Sequence, residues 1–393
     1  MRIVHFTRSF SPLSQTFIYD YITELERQGT ESIVVTLNRE NEAERPFGAV
    51  EVVSLPARWH PTWLRQRLRA RGRHAADPEI DVTWSVRRKA LAERIGELQP
   101  DLVHAHFGPS GVHLLPLTEE LGIPLVVTFY GHDASRLLRD PTWVERYRAS
   151  WSRFARVTVL SEAMREVIVG SGCPPWKCVV VRVAKRLPDY RFSPPTHPVR
   201  RFVSVGRLVE KKGHMDVLRA MRALRSSSAD ISLTIIGEGP LRGELERSIE
   251  EWDLQDRVTL SGPRSHAQVV DAMYEADAFV LASRTSPDGD QEGTPVVLLE
   301  AQAMGLPCVS TRHSGIPEQI PSSSHWLLAE EGDWAGIAER MQALAACTVD
   351  QLQSIARAGR LQVEQEYNLV TEVGKLRALY ADVVERVASD RPG

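Results

Sequence analysis

The sequence predicts two doubly wound α/β domains, each built on a parallel sheet, and three observations carry that prediction. The chain has 393 residues, enough for two cores of ordinary size. Short apolar runs alternate with stretches of helical periodicity along most of it, the pattern of successive βα units. Between Leu187 and Pro198 the alternation stops at Pro188, Pro194, Pro195 and Pro198, then restarts. The first domain is accordingly placed at 1–187, a linker at 188–198 and the second domain at 199–368. A helix over 369–393 is long enough to pack back on the first domain. In such sheets ligands bind beyond the carboxyl ends of the strands, and two facing domains would leave a cleft.

In order, Ile3–Phe6 reads as the first strand, and Ser14 as the N-cap of a helix with Phe17, Ile18, Tyr21, Ile22 and Leu25 on one face. Ile33–Leu37 and Val50–Ser54 follow as strands. An amphipathic helix carrying Ala90, Leu91, Ile95 and Leu98 leads to a strand at Asp101–His104. Leu125–Phe129 is nearly continuous apolar, as a strand buried on both faces should be. Val157–Leu160 and Cys178–Val181 complete the first half. In the second half the strands are Phe202–Val205, Ser232–Ile236, Arg257–Leu260, Ala278–Leu281 and Pro307–Ser310. Helices start at Gly213 and Pro240, span Ala267–Tyr274, and fill the remainder to the end.

Hydrophobic content of 42% and charged content of 25% are ordinary for a soluble globular protein. A net charge of −3 argues against nucleic acid as a partner. The four cysteines, Cys173, Cys178, Cys308 and Cys347, make no CxxC pair and no zinc spacing, which suits structural thiols in a reducing cytoplasm. The start MRIVHF runs straight into a strand, and no apolar run is long enough to span a bilayer. The expected location is the cytoplasm, with peripheral attachment to the inner face of the membrane as an option.

Chemistry concentrates in the stretch from Asp288 to Ile316. Gly293-Thr294-Pro295 reads as a helix start, with Pro295 at the first helical position. The helix Val296–Met304 is apolar almost all round and therefore buried, yet it carries Glu300, with Glu292 just ahead of it. Burying a carboxylate is costly unless a partner compensates, so its presence needs a reason. A helix N-terminus offers free N–H groups to an anion. An anion cradle beside two carboxylates able to grip hydroxyls suggests a sugar nucleotide.

A second motif, Gly206-Arg207-Leu208-Val209-Glu210-Lys211-Lys212-Gly213, links a strand to a helix and brings Arg207 and Lys212 into one loop. A diphosphate needs such cations, and Arg can hold it with two parallel hydrogen bonds. Solvated surface charges are the alternative, and the strand-end position tips the balance toward a site. In Ile235–Pro240 the glycines Gly237 and Gly239 either admit a base or ribose against the backbone or simply make a tight turn. Neither a Walker loop nor a dinucleotide GxGxxG is present at the first strand.

GRLVEKKG, IIGEGP and the pair Glu292/Glu300, in this order and spacing, resemble glycosyltransferase family 4. In the first half, PLSQTFI (12–18), HAHFG (104–108) and PLVVTFYGHDAS (124–135) resemble the branch that builds exopolysaccharides such as colanic acid. The resemblance implies the two-domain GT-B fold and sugar transfer with retention at the anomeric carbon. It implies that Arg207 and Lys212 bind the donor diphosphate and that Glu300 binds the ribose hydroxyls. Glu292 would contact hydroxyls of the transferred sugar, with the amides of Gly293 and Thr294 near the distal phosphate. His132 would lie beside the donor sugar, and Ser261–Ser265 would flank the nucleobase with Arg264 against it. Gly206 and Gly237 complete the donor side, while Ser14, Gln15, His106 and Asp133 fall on the acceptor side. Two departures stand out: Arg182-Val183-Ala184-Lys185 replaces the usual proline-asparagine-glycine segment, and Ser9–Ser14 replaces the usual glycine-rich acceptor loop.

The expected reaction moves a hexose from a nucleotide-diphosphate donor, UDP before GDP, to a hydroxyl acceptor, a lipid-linked one among the candidates. Fixed cations and a helix N-terminus would stabilise the leaving diphosphate. Front-face substitution is preferred to a covalent intermediate on Glu292. No cofactor is expected and no metal: Asp288-Gly289-Asp290 reads as a turn, and magnesium would duplicate Arg207 and Lys212. His104 and His106 alternate on a strand with no third ligand in view. The basic segment Arg58–Arg73, with Trp59, Trp63, Leu64 and Leu68 as its apolar stripe, is either a membrane-surface helix or a solvated one. The rivals are a sugar-nucleotide epimerase or a phosphorylase on the same fold, or a non-catalytic nucleotide-sugar-binding partner.

Overall fold

The computed structural model describes residues 1–12, 15–54, 78–225 and 230–389. Ser14 and the basic segment 58–73 lie outside them. The described chain divides into two compact units, Met1–Val181 with Val370–Gly393, and Arg182–Leu369.

The first unit contains β1 (Arg2–Thr7), α1 (Thr16–Arg27), β2 (Glu31–Thr36), β3 (Val50–Val52), α2 (Pro78–Leu98), β4 (Leu102–His106) and α3 (Gly108–Leu121). It continues with β5 (Leu125–Thr128), α4 (Pro141–Ser150), β6 (Arg156–Val159), α5 (Glu162–Gly170) and β7 (Cys178–Val180). The seven strands run in the order β3-β2-β1-β4-β5-β6-β7, every pairing parallel. The order reverses at β1, the doubly wound arrangement. All of β4, β5 and β6 is buried, as strands with both faces covered must be. Helix starts are written locally: Asp140 accepts from the Thr142 N–H ahead of α4, and Ser161 from Met164 ahead of α5. Gln15, whose side chain makes no cap bond, precedes α1, so the cap expected of Ser14 falls among undescribed residues.

The second unit contains β8 (Arg201–Val205), α6 (His214–Leu224), β9 (Ser232–Ile236), α7 (Arg242–Glu251), β10 (Val258–Leu260), α8 (His266–Glu275) and β11 (Ala278–Leu281). Then come α9 (Val296–Met304), β12 (Cys308–Thr311), α10 (Ile316–Gln319), β13 (Leu328–Ala329), α11 (Trp334–Ala345) and α12 (Val349–Glu366). Its six parallel strands are ordered β10-β9-β8-β11-β12-β13. Asp277 pins the starts of β11 and β8 together, its Oδ2 accepting from the N–H groups of Arg200 and Arg201 at 2.9 and 2.8 Å. The final helix, α13 (Leu369–Ser389), belongs almost wholly to the first unit, where Arg156 pairs with its Asp382 at 2.7 Å.

Two local expectations change. Pro295 caps α9 instead of opening it, with φ −69° and ψ 108°. The β4 strand is shifted to Leu102–His106 and so contains both histidines. Residues 188–198 sit inside the second unit, with Tyr190 buried and the Ser193 N–H bonded to the Met304 carbonyl at 2.8 Å. Proline there removes helix and ladder, but not packing.

Candidate functional site

In the second unit the loop after β8 is fixed first by backbone. The Gly206 N–H donates to Ile236 at 3.0 Å and the Leu208 N–H to Glu238 at 2.9 Å, so this loop lies directly on the one after β9. That approach explains Gly237: a Cβ there would stand 1.9 Å from the Gly206 carbonyl oxygen. Of the two roles weighed for this glycine, the close approach is real but the neighbour is backbone. The Gly237 N–H in turn donates to Gly262, which draws the loop 261–265 alongside. Arg264 and Arg207 are both exposed.

Lys212 ends a short 3-10 turn, Glu210–Lys212, and its stem lies over Gly206, whose added Cβ would meet Lys212 Cδ at 3.3 Å. Its Nζ sits 2.6 Å from Glu292 Oε2. Neighbouring Lys211 is turned the same way, 3.0 Å from Asp290 Oδ2 and donating to the Gln291 carbonyl at 3.2 Å. Burial pushes the Glu292 carboxyl up, but Lys212 and Lys211 outweigh it and hold it below the usual carboxylate range. Glu292 is thus held as an anion in a half-buried place.

The main chain at Glu292 has its own support. Its N–H donates to His313 Nε2 at 3.0 Å, and His313 Nδ1 lies 2.6 Å from Glu331 Oε1. An Nε2 that accepts leaves Nδ1 to donate its proton to Glu331. Glu331 Oε2 accepts from the Thr285 N–H at 2.8 Å, closing the support. Thr294, one residue before the cap of α9, is buried, and its hydroxyl has no hydrogen-bond partner among the described residues. The helices that follow β8, β9 and β11, namely α6, α7 and α9, begin without a side-chain cap. By contrast Ser265, Asp333 and Thr348 cap α8, α11 and α12. The carboxyl edge of this sheet therefore keeps N-terminal amides that no side chain consumes, the polarity an anion needs.

Glu300 is 6% exposed and its Oε1 is engaged from within: Lys185 Nζ lies 2.9 Å from it, and the Tyr190 hydroxyl donates to it at 3.1 Å. Burial pushes this carboxyl up, while Lys185 and His266 pull it down and prevail. Lys185 belongs to the segment that departs from the family pattern, and it is joined to Tyr367 and Leu369 by backbone bonds of 3.0 Å each. Asp288 and Asp290 form the turn expected of them, the Asp290 N–H donating to Asp288 Oδ1 at 3.1 Å.

The first unit places its expected residues unevenly. His132 is exposed and opens the 3-10 turn His132–Ala134 just after β5. Asp133, assigned to the acceptor side, is interior: Oδ2 accepts from the Gly108 N–H at 2.8 Å, and Oδ1 from Tyr130 and Gly131 at 2.9 and 3.0 Å. It staples two strand-end loops, with both carboxylate oxygens engaged. His106, also assigned there, is buried, with Nδ1 2.6 Å from the Tyr130 hydroxyl. It is the last residue of β4, at the carboxyl end of the sheet. Gln15 is half-buried at the start of α1.

Sequence reasoning gave no role to Lys185, Tyr190, Lys211, His313 or Glu331. Only Lys185 carried a signal, as a departure from pattern. A third buried histidine, His5, stands beside His104 and His106, which overturns the expectation that no third ligand was in view.

Residues 189–362 match the family model described as glycosyl transferases group 1, and residues 14–184 that described as glycosyl transferase 4-like domain. The chain is 30% identical to WcaL of Escherichia coli, named for colanic acid biosynthesis, over 94% of this chain and 96% of that one. It is 34% identical to the amylovoran biosynthesis glycosyltransferase AmsK of Erwinia amylovora, over 73% of this chain and 70% of that one. Among solved structures, Anabaena HepE in complex with UDP-glucose superposes with a TM-score of 0.74 at 17% identity, covering 99% of this chain and 100% of that one.

Proposed function

The chain belongs to the group 1 glycosyl transferases and is a glycosyltransferase of the GT-B type, and on that premise we propose a specific reaction for it. It moves a hexose from a nucleotide-diphosphate donor, UDP in preference to GDP, to a hydroxyl acceptor in exopolysaccharide assembly, with retention. The observation that carries the proposal is the half-buried Lys212–Glu292 pair beside the uncapped start of α9. The names of WcaL and AmsK support the polysaccharide setting, and the UDP-glucose bound to HepE supports the base.

Lys212 and Arg207 meet the diphosphate, the amides of Gly293 and Thr294 take its distal phosphate, and the unpartnered Thr294 hydroxyl gains an oxygen to bond. Glu292, kept ionised, grips hydroxyls of the sugar and opposes the positive character growing at its anomeric carbon. Glu300 receives the ribose hydroxyls. His132 on the first unit acts beside the donor sugar. The carbon–oxygen bond to phosphate breaks as the bond to the acceptor oxygen forms on the same face, and the departing phosphate oxygen takes the acceptor proton. No metal is assigned to this step. Cytoplasmic action on a lipid-linked acceptor, with segment 58–73 against an anionic membrane, belongs to the same proposal.

A panel of UDP- and GDP-sugars, read by thermal stabilisation and by slow hydrolysis, tests this. One UDP-hexose is expected to raise the melting temperature and to be hydrolysed to UDP. Stabilisation by GDP-sugars alone would reverse the base assignment, and a product with inverted anomeric configuration would remove retention.

Lys185 is the residue through which this chain positions its ribose acid. Lys185→Met is expected to raise the donor KM about tenfold, close to 1.4 kcal/mol, with kcat little changed, and Lys185→Arg to restore most of the loss. If kcat and KM move together, Lys185 is only a packing residue.

A further inference from the structure

We propose that His5, His104 and His106 form a binding site for a divalent transition-metal ion of the zinc class. The three imidazoles come from adjacent strands of the first unit. His5 on β1 stands in register with His104 on β4, and His106, two residues further along, shares the same face. All three are interior, at 0%, 2% and 3% exposure, and one nitrogen from each lies within 4.8 Å of the others.

The hydrogen bonding of this cluster is incomplete in the places a metal would occupy. His106 Nε2 and His5 Nδ1 are 3.4 Å apart, long for a hydrogen bond between ring nitrogens. It matches the edge of a tetrahedron whose nitrogen ligands sit about 2.0–2.1 Å from zinc, roughly 3.3–3.4 Å. An ion there would take His5 Nδ1, which has only that long contact, while Nε2, buried and without a hydrogen-bond partner among the described residues, stays the ring's outer nitrogen.

The outer contacts are those of ligating histidines. His104 Nδ1 lies 2.6 Å from the Tyr380 hydroxyl and His106 Nδ1 2.6 Å from the Tyr130 hydroxyl. Each fixes one nitrogen and so aims the other, the arrangement that orients a metal-bound imidazole. His104 Nε2 would exchange its 2.6 Å contact with Thr128 for the ion, and the Thr128 hydroxyl keeps Thr158 as a partner. All three rings lie in the interior, and it is the neutral imidazole that binds metal. Three imidazoles without thiolate or carboxylate suit zinc, cobalt, nickel or copper, and not magnesium or calcium. The ion would tie β1 to β4 and, through Tyr380, to α13. Its role is support of the first unit, apart from the donor residues.

The test uses untagged full-length protein, incubated with Zn2+, desalted and analysed for metal. About one ion per chain is expected, with a rise in melting temperature. Co2+ should give the strong visible bands of a four-coordinate site and an X-ray absorption edge fitted by imidazole nitrogens. His5→Gln, checked by circular dichroism for an intact fold, should lower retained zinc about tenfold. If that variant does not fold, the cobalt spectrum of the unmodified protein decides alone. Wild-type protein that loses its zinc on desalting, a six-coordinate aqua-cobalt spectrum, or a folded His5→Gln retaining as much zinc as wild type would each overturn the proposal.

Discussion

Replacing Lys212 by alanine is expected to lower kcat/KM for sugar transfer about 100- to 1,000-fold, the range found when one fixed donor to a developing charge is removed. The same ammonium has two duties. It faces Glu292 at 2.6 Å, and by the proposed reaction it meets the leaving diphosphate. Truncation therefore also leaves a half-buried carboxylate without its nearest cation, a loss of stability softened by the nearby Lys211. Activity and folding can be separated. Lys212→Met combined with Glu292→Gln removes both charges at once, so its melting temperature should return close to wild type while transfer stays lost. A Lys212→Ala enzyme that folds and keeps wild-type kcat/KM would end the assignment of the diphosphate to this loop.

Much of this arrangement was legible because it is local. The βα alternation follows from apolar runs and periodicity, each of which a window of sequence contains. The buried helix α9 announced itself by an unbroken apolar run. Gly293, Thr294 and Glu292 are marked by their place ahead of it. What the sequence hid are the partners brought by tertiary contact. Lys185 reaches Glu300, and His313 reaches the amide of Glu292, across separations no periodicity encodes. His5 meets His104 only because β1 and β4 are neighbours, and strand order follows from topology, not spacing. The burial of His106 and Asp133 was hidden in the same way. A polar residue near a motif looks available until the layer that covers it is known.

Acid is expected to destabilise both units well before the carboxylates titrate, because each holds a histidine that its surroundings keep neutral, half-buried His113 in the first and buried His214 in the second. In the second unit His214, at 0% exposure, is lowered to about 4 by burial first and by Lys212 second. In the first unit His113 lies flat against Trp84 at 4.3 Å and is lowered to about 3 by burial, with Arg146 and Arg8 adding to it. An unfolded histidine titrates near 6.5, so between that value and the folded one the unfolded chain binds a proton that the folded chain refuses. Stability is thus complete above about pH 6.5 and falls by about 1.4 kcal/mol per pH unit for each histidine as pH drops, levelling off below its folded pKa. At about pH 4.5 the two together remove roughly 5 kcal/mol, a large share of the 5–15 kcal/mol a domain ordinarily holds. Urea midpoints at about pH 7.5, 6 and 4.5 should show this fall, and hydrogen exchange should show it in each unit separately. His214→Gln should flatten the slope of the second unit by about 1.4 kcal/mol per pH unit and leave that of the first unchanged. Midpoints that stay level from about pH 7.5 to 4.5 would mean that the two rings are protonated within the fold, against the burial that surrounds them.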